Sequence, residues 1–342
     1  MKKLISVVIP AFNEEGCMEE LARQLGSVFD CNPRYDFEAV IVENGSTDRT
    51  YEKLLAIHRR DPRFKIVRLA RNFRMDGGLT AGLQYARGDA AVVMVANLQD
   101  PPTVIPLLLE KWEEGFDHVY GIVTSRPGKG ILRRLNSQVF YWLINRLTGN
   151  MIPRNVSDFR LLDRKVYQTI NRMDERNRFM RGMFVWVGYK STGVEFERNP
   201  RYAGKSHARF DQVFQLAIQG IFAYSYFPLK IISFCGILLS AASLIYLVYT
   251  VVKILFAGVP FAGYGTIVSI IIFMFGFLFL LLGILGQYIA QIYEEVKGRP
   301  NFIVQETFGF QAEKDAGFLP PRVEGGRGHC QPTSPRKEIG NA

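Results

Sequence analysis

Apolar residues fall into two patterns along this chain. Over the first third, short β-branched runs alternate with amphipathic stretches. Leu4–Ile9 is a largely apolar run ended by Pro10, the mark of a strand buried on both faces. Further strands are expected at Phe37–Val42, Lys65–Leu69, Ala90–Val95 and His118–Val123. Helical spacing fills the intervals at Glu14–Asp30, Asp48–Arg60, Gly77–Tyr85 and Val104–Glu114, with Ser46 or Thr47 as the expected cap of the second. Such alternation predicts an α/β domain, a mostly parallel sheet with helices on both faces. Ligands of these sheets bind at the carboxyl ends of the strands. That singles out Pro10–Glu15, Glu43–Asp48, Arg71–Asp76 and Asn97–Asp100.

The second pattern is a long uncharged run. Residues 231–293 hold one charged side chain, Lys253. A transmembrane helix needs roughly 20 apolar residues. The run therefore predicts a two-helix transmembrane hairpin, near 231–257 and 265–291, with a turn-prone Gly258–Gly265 between. A core helix of a soluble protein is the competing reading. Two amphipathic stretches precede the hairpin, at 131–147 and 211–226. In the first, Arg133, Arg134 and Arg146 interrupt the apolar positions. An interfacial helix and an ordinary packed helix both fit that pattern. The expected organisation is a domain over 1–228, the anchor over 229–293 and a C-terminal segment over 294–342, disordered from about 313, where Pro, Gly and charge dominate.

Charge adds an orientation. The 342 residues carry a formal charge of +10, with many cations near the hairpin, among them Arg201, Lys205, Arg209, Lys230, Lys297 and Arg299. Basic flanks favour the cytoplasmic side. The inner or plasma membrane is thus expected, with both flanks cytoplasmic and the uncharged loop outside. No recognition motif supports nucleic acid as a partner. Cys17, Cys31, Cys235 and Cys330 lack metal or disulfide spacing. The Met1-Lys2-Lys3 start resembles a signal peptide only superficially, since its apolar run is short and meets Pro10 and Glu14-Glu15.

Several short motifs then appear in order: Val7-Val8-Ile9-Pro10-Ala11-Phe12-Asn13-Glu14, Glu43-Asn44-Gly45-Ser46-Thr47-Asp48, Arg71-Asn72-Phe73 and Leu98-Gln99-Asp100-Pro101-Pro102. Ser157-Asp158-Phe159-Arg160, Arg176-Asn177-Arg178-Phe179, Arg201-Tyr202-Ala203-Gly204-Lys205-Ser206 and Tyr293-Glu294-Glu295-Val296-Lys297-Gly298-Arg299-Pro300 follow. Together, over about 4–305, these resemble family 2 glycosyltransferases of the GT-A fold. More narrowly, they are similar to polyprenyl-phosphate glycosyltransferases of the bactoprenol glucosyltransferase and dolichol-phosphate mannose synthase type.

The resemblance implies inverting transfer of a sugar from a nucleotide diphosphate sugar to a polyprenyl phosphate, feeding cell-envelope glycans. It implies Mg²⁺ or Mn²⁺, and relatives that form oligomers. It places Pro10, Ala11 and Glu14 at the nucleotide, with Glu43 and Asn44 where the family usually has aspartates. Capping is an equal reading for Asn44 and Ser46. Asp158 matches the aspartate near the reacting centre, and a turn role is its alternative. Arg201, Lys205 and Ser206 match a loop whose cations approach the diphosphate. Arg71 and Arg126 are further candidates for phosphate.

One departure bears on the metal. The usual Asp-X-Asp is replaced by Val95-Ala96-Asn97, leaving Asn97 and Gln99 as the candidate ligands beside Asp100. Amide oxygens are poor partners for a hard dication. Arg74-Met75-Asp76-Gly77-Gly78 likewise replaces a more usual Gly-Lys-Glu-Ala-Ala. Three readings follow: a transferase holding metal weakly, one using Arg201, Lys205 and Arg71 in its place, or a silent homologue that binds sugar nucleotide, lipid phosphate or a partner. Another lipid acceptor, such as diacylglycerol, fits the same fold. Processive polysaccharide synthesis is disfavoured, since such enzymes usually have more spans and a Gln-X-X-Arg-Trp motif, which this chain lacks.

Overall fold

A computed structural model of the chain describes residues 2–125, 156–202, 227–257 and 264–310. Arg126, Lys205, Ser206, both amphipathic stretches and the expected disordered tail lie outside these residues.

The elements follow the pattern of the sequence. β1 (Lys3–Ala11), β2 (Tyr35–Glu43), β3 (Phe64–Leu69) and β4 (Ala90–Val93) alternate with α1 (Met18–Cys31), α2 (Thr50–Arg60) and α3 (Arg74–Tyr85). A 3₁₀ turn at Pro102–Val104 opens α4 (Ile105–Glu113), and β5 (His118–Ser125) follows. Next come β6 (Val156–Asp163), α5 (Arg164–Asn171), α6 (Met180–Trp186) and β7 (Ser191–Glu197). Two long helices, α7 (Phe227–Ala257) and α8 (Tyr264–Lys297), precede a final strand, β8 (Val304–Phe308).

The eight strands form one sheet in the order β7-β5-β6-β4-β1-β2-β3-β8. β1 to β4 are mutually parallel, and β5 and β7 run the same way. β6 is antiparallel to both neighbours, and β8 is antiparallel to β3. The sheet is therefore mixed but mostly parallel, in a GT-A-like arrangement. Val7, Val8 and Ile9 are fully buried, as a strand covered on both faces requires.

Helix α3 packs unusually close to the sheet. A Cβ on Gly82 would lie 2.3 Å from Val8 Cγ1 and 3.1 Å from Val42 Cγ2. This explains the small residues of α3 and brings its N-terminal turn against the strand ends. β8 was not foreseen. After α8 the chain returns to the domain, with Ala70 N donating to Ile303 O at 2.9 Å and Tyr51 Oη to Glu306 Oε2 at 2.7 Å. Both long helices expose large apolar side chains, including Phe234, Ile237, Leu255, Phe256, Phe273 and Phe279. Among the described residues, Phe273–Lys297 is long and apolar enough to cross a membrane, with mean hydropathy 2.0.

Two local expectations are corrected. α1 begins at Met18 rather than Glu14, because 13–17 form a turn closed by Cys17 N donating to Glu14 O at 2.9 Å. Neither Ser46 nor Thr47 caps α2, which starts at Thr50 without a side-chain cap. Their groups are engaged by the loop after β1 instead. Replacing Gly82 by Ala should cost about 1–3 kcal/mol through overpacking. Thermal and denaturant unfolding of the purified chain would measure it, and unchanged stability would contradict the close approach.

Candidate functional site

The carboxyl ends of β1 to β4 meet on one edge, as the alternation requires. Ala11 pairs with Glu43 and Glu43 with Arg68 across that edge. The loops leaving β1 and β2 are laced together. Asn13 N donates to Ser46 Oγ at 3.1 Å, and Thr47 N donates to Asn13 Oδ1 at 2.8 Å. Glu14 N donates to Thr50 Oγ1 at 3.0 Å and Glu15 N to Asp48 Oδ2 at 3.1 Å. Among the described residues, three other than glycine take positive φ: Asn13 (53°) and Leu98 (58°) on the loops after β1 and β4, and Arg74 (61°) at the start of α3. For a bulky residue such as Leu98 that conformation is strained, and strain of this kind collects at functional loops.

Several nucleotide-site candidates have internal partners. Pro10 and Ala11 end β1. Glu43 is buried, accepts from Ser46 N and lies 3.5 Å from the Arg68 guanidinium. Asn44 caps no helix. Its Oδ1 accepts from Phe73 N at 2.9 Å and its Nδ2 donates to Arg74 O at 2.8 Å, bracing the turn that enters α3. Glu14 and Arg201 are brought together in an ion pair of 2.5 Å. Arg71 is exposed, with its guanidinium over the Phe73 ring at 4.2 Å.

Around β6 lies a second cluster. The carboxylate of Asp158 accepts two parallel hydrogen bonds from Arg181, from Nε and Nη2, each 2.6 Å. Asp158 is 16% exposed as a side chain and Arg181 46%, so the carboxylate is the more buried member of the pair. Burial raises the Asp158 pKa, but the charge and hydrogen bonds of Arg181, helped by Arg160 and Arg198, outweigh it and hold the carboxyl at about 2. Asp100 is fully buried, 2.9 Å from Arg198 Nε, and accepts from Ser157 Oγ at 3.2 Å. Burial raises its pKa against the pull of Arg198. Asp76, in the first turn of α3, accepts from Met180 N at 3.0 Å. Burial, opposed by that hydrogen bond and reinforced by the charge of Asp158, pushes Asp76 up to about 6. Sequence reasoning did not assign Arg181 or Arg198, and reached Asp76 only as the end of the Arg71–Asp76 segment, without a role. Each meets its partner across a long stretch of chain, which no local spacing reveals.

The donor set near β4 does not fit a divalent cation. Asn97 Oδ1 accepts from Gln99 N at 3.1 Å, and Asn97 Nδ2 donates to Gln99 Oε1 at 3.0 Å. Both amide oxygens are thus engaged with each other's residue, Val95 has no donor atom, and Asp100 is committed to Arg198. Among the described residues, no group of three His, Cys, Asp or Glu side chains is placed to hold a metal.

Comparison with known proteins decides the family. The profile of "Glycosyl transferase family 2" matches residues 6–170. A Synechocystis protein called an uncharacterized glycosyltransferase is 39% identical over 308 residues, 90% of this chain and 96% of its own length. The chain belongs to glycosyl transferase family 2. Within the family, the bactoprenol glucosyl transferase of Shigella phage SfII is 36% identical over 303 residues, 89% of this chain and 98% of its own. Among solved structures, glucosyl-3-phosphoglycerate synthase of Mycobacterium tuberculosis, bound to Mn²⁺, UDP-glucose and phosphoglyceric acid, is 21% identical with a TM-score of 0.45. It covers 64% of this chain and 78% of that one.

The raised pKa of Asp76 has a stability consequence. Between its ordinary value of 3.8 and about 6 the folded chain binds the extra proton, so Asp76 costs stability as pH rises through that window. Asp76→Asn keeps an oxygen for Met180 N and removes the cost. The variant should therefore melt higher than the parent at pH 7.5, with the gain vanishing toward pH 4. A difference in melting temperature that does not change with pH would refute the assignment.

Proposed function

We propose that this protein transfers a sugar from a nucleotide diphosphate sugar to a polyprenyl phosphate at the cytoplasmic face of a membrane, with inversion. The observation that carries this reading is the bidentate Asp158–Arg181 pair beside the strand ends, in a chain similar to bactoprenol glucosyl transferases over most of its length. A carboxyl held at about 2 is a weak proton acceptor at neutral pH. The proposed acceptor does not need one. A phosphate monoester has a second pKa near ~6 and is largely ionised at pH 7. What the reaction needs is positioning of that dianion and stabilisation of the departing diphosphate. Asp158 serves by holding the Arg181 guanidinium toward the acceptor phosphate, a geometry arginine suits better than lysine. Arg201, steadied by Glu14, and Lys205 serve the leaving group. No step is routed through a metal, because the residues after β4 do not fit one.

α7 and α8 form the membrane anchor in this reading. Their exposed apolar side chains would be costly in water and are at home in lipid. The hairpin would keep the acceptor's hydrocarbon in the bilayer while its phosphate reaches the strand ends.

The test is transfer of radiolabel from a panel of nucleotide sugars to undecaprenyl phosphate by the purified full chain. Organic-phase product is expected, and Asp158→Asn should lower kcat at least about 100-fold, the scale of a lost preorganised electrostatic contact. Absence of product from every donor would refute the reading in favour of a silent homologue. Product formation should survive EDTA. Its loss on chelation and return with Mn²⁺ would show that Asn97 and Gln99 rearrange to take a cation.

A further inference from the structure

Two sequence motifs that the proposed chemistry leaves unused meet in space. Arg176-Asn177-Arg178-Phe179 precedes α6, and Tyr293–Pro300 closes α8. The carboxylate of Glu295 accepts from Arg176 N at 3.0 and 2.9 Å and from Asn177 N at 2.9 Å. Consecutive backbone N–H groups aimed at one carboxylate make a compact anion seat. Just beyond α8, Asn301 Nδ2 donates to Glu175 O at 3.0 Å. The C-terminal end of α8 and the residues after it thus grip 175–177 at two points.

The gripped segment leads directly to the Asp158 partner. Phe179 is buried, and Met180 N is held by Asp76 from α3. Arg178 Nη2 ties back to Ile170 O at 3.2 Å and to Met173 O. Arg181 then stands four residues after Asn177, in the first turn of α6. α8 is itself stopped here, by Gly298 at φ 62° with its N–H donating to Glu295 O at 3.1 Å. Glu295 therefore sits where the long helix ends and the domain begins.

We propose that Glu295 is a positioning residue: its seat on the Arg176 and Asn177 amides fixes the segment that carries Arg181, and so sets the Asp158–Arg181 pair relative to the long apolar helix. The inference rests on the role given to that pair above. Glu294 supplies an internal control. It is the neighbouring carboxylate, and its contact is an exposed pairing with Lys297 at 3.4 Å.

The experiment uses the full chain in phosphatidylethanolamine–phosphatidylglycerol vesicles containing undecaprenyl phosphate, with UDP-glucose as donor. Glu295→Ala should lower kcat about tenfold with KM for UDP-glucose within twofold, while Glu294→Ala stays near the parent. In a double-mutant cycle with Arg181→Met, the two losses should be strongly less than multiplicative, since both act through one contact. Unchanged kcat in Glu295→Ala, or independent losses, overturns the inference. If Asp158→Asn turns over like the parent, the reading of the pair falls and the inference with it. If Asp158→Asn is inactive while Glu295→Ala is not, the inference alone falls. A readout independent of turnover is hydrogen–deuterium exchange. Glu295→Ala should speed exchange of the 176–181 amides, and unchanged protection there also overturns it.

Discussion

A largely buried carboxylate must be paired or it will not stay ionised, and Asp158 obeys that constraint through Arg181. Much of the surrounding architecture follows. β6 lies between β4 and β5 and runs against both, which places Asp158 beside the ends of the parallel strands. Arg160 and Arg198 lower the Asp158 pKa further, while Arg198 also neutralises Asp100. Asp76 is the exception. Its carboxylate has the Met180 N–H as donor, and the pull of Arg181 and Arg74 does not outweigh its burial, so its pKa rises. Three acids of one type thus occupy three electrostatic states within one cluster, and the difference comes from where each guanidinium is fixed.

The loops after β1 and β2 show the complementary device. Here backbone amides and short polar side chains lock two loops to each other, and Asn44 locks the turn into α3. Gly45 belongs to the same arrangement. It has φ 70°, and a Cβ there would lie 2.5 Å from the carbonyl carbon of Arg71. Rigid loops of this kind hold a polar ligand with little ordering at the moment of binding. The segment after β4 is ill suited to a hard cation for its own reason, since Asn97 and Gln99 bond to each other and Asp100 pairs with Arg198.

The parallel half of the sheet was legible because buried strands are written as contiguous apolar runs. β1 to β5 and the helices between them match the pattern of the first 125 residues closely. The long helices were legible from missing charge, with α8 extending to Lys297 beyond the expected end at 291. β6, β7 and β8 were not foreseen. Val304–Phe308 is short and mixed in polarity, and it becomes a strand only because the outer edge of β3 is available. The site was readable as a set of strand ends, since that follows from topology. Its pairings were not. Arg181 finds Asp158, and Glu295 finds Arg176, through folds of the chain that leave no periodic trace.

The return of β8 to β3 also bears on the timing of synthesis. β3 is complete once residue 69 has been made, but its partner is not available until residue 308. Throughout that interval its outer edge offers unpaired backbone groups, the kind of surface that invites wrong pairing. Both long helices lie between the two strands and must be made first. Closure of the sheet is therefore a late event. A chain whose long helices stall would keep β3 uncovered, and its fate in the cell would be set by how long that edge waits.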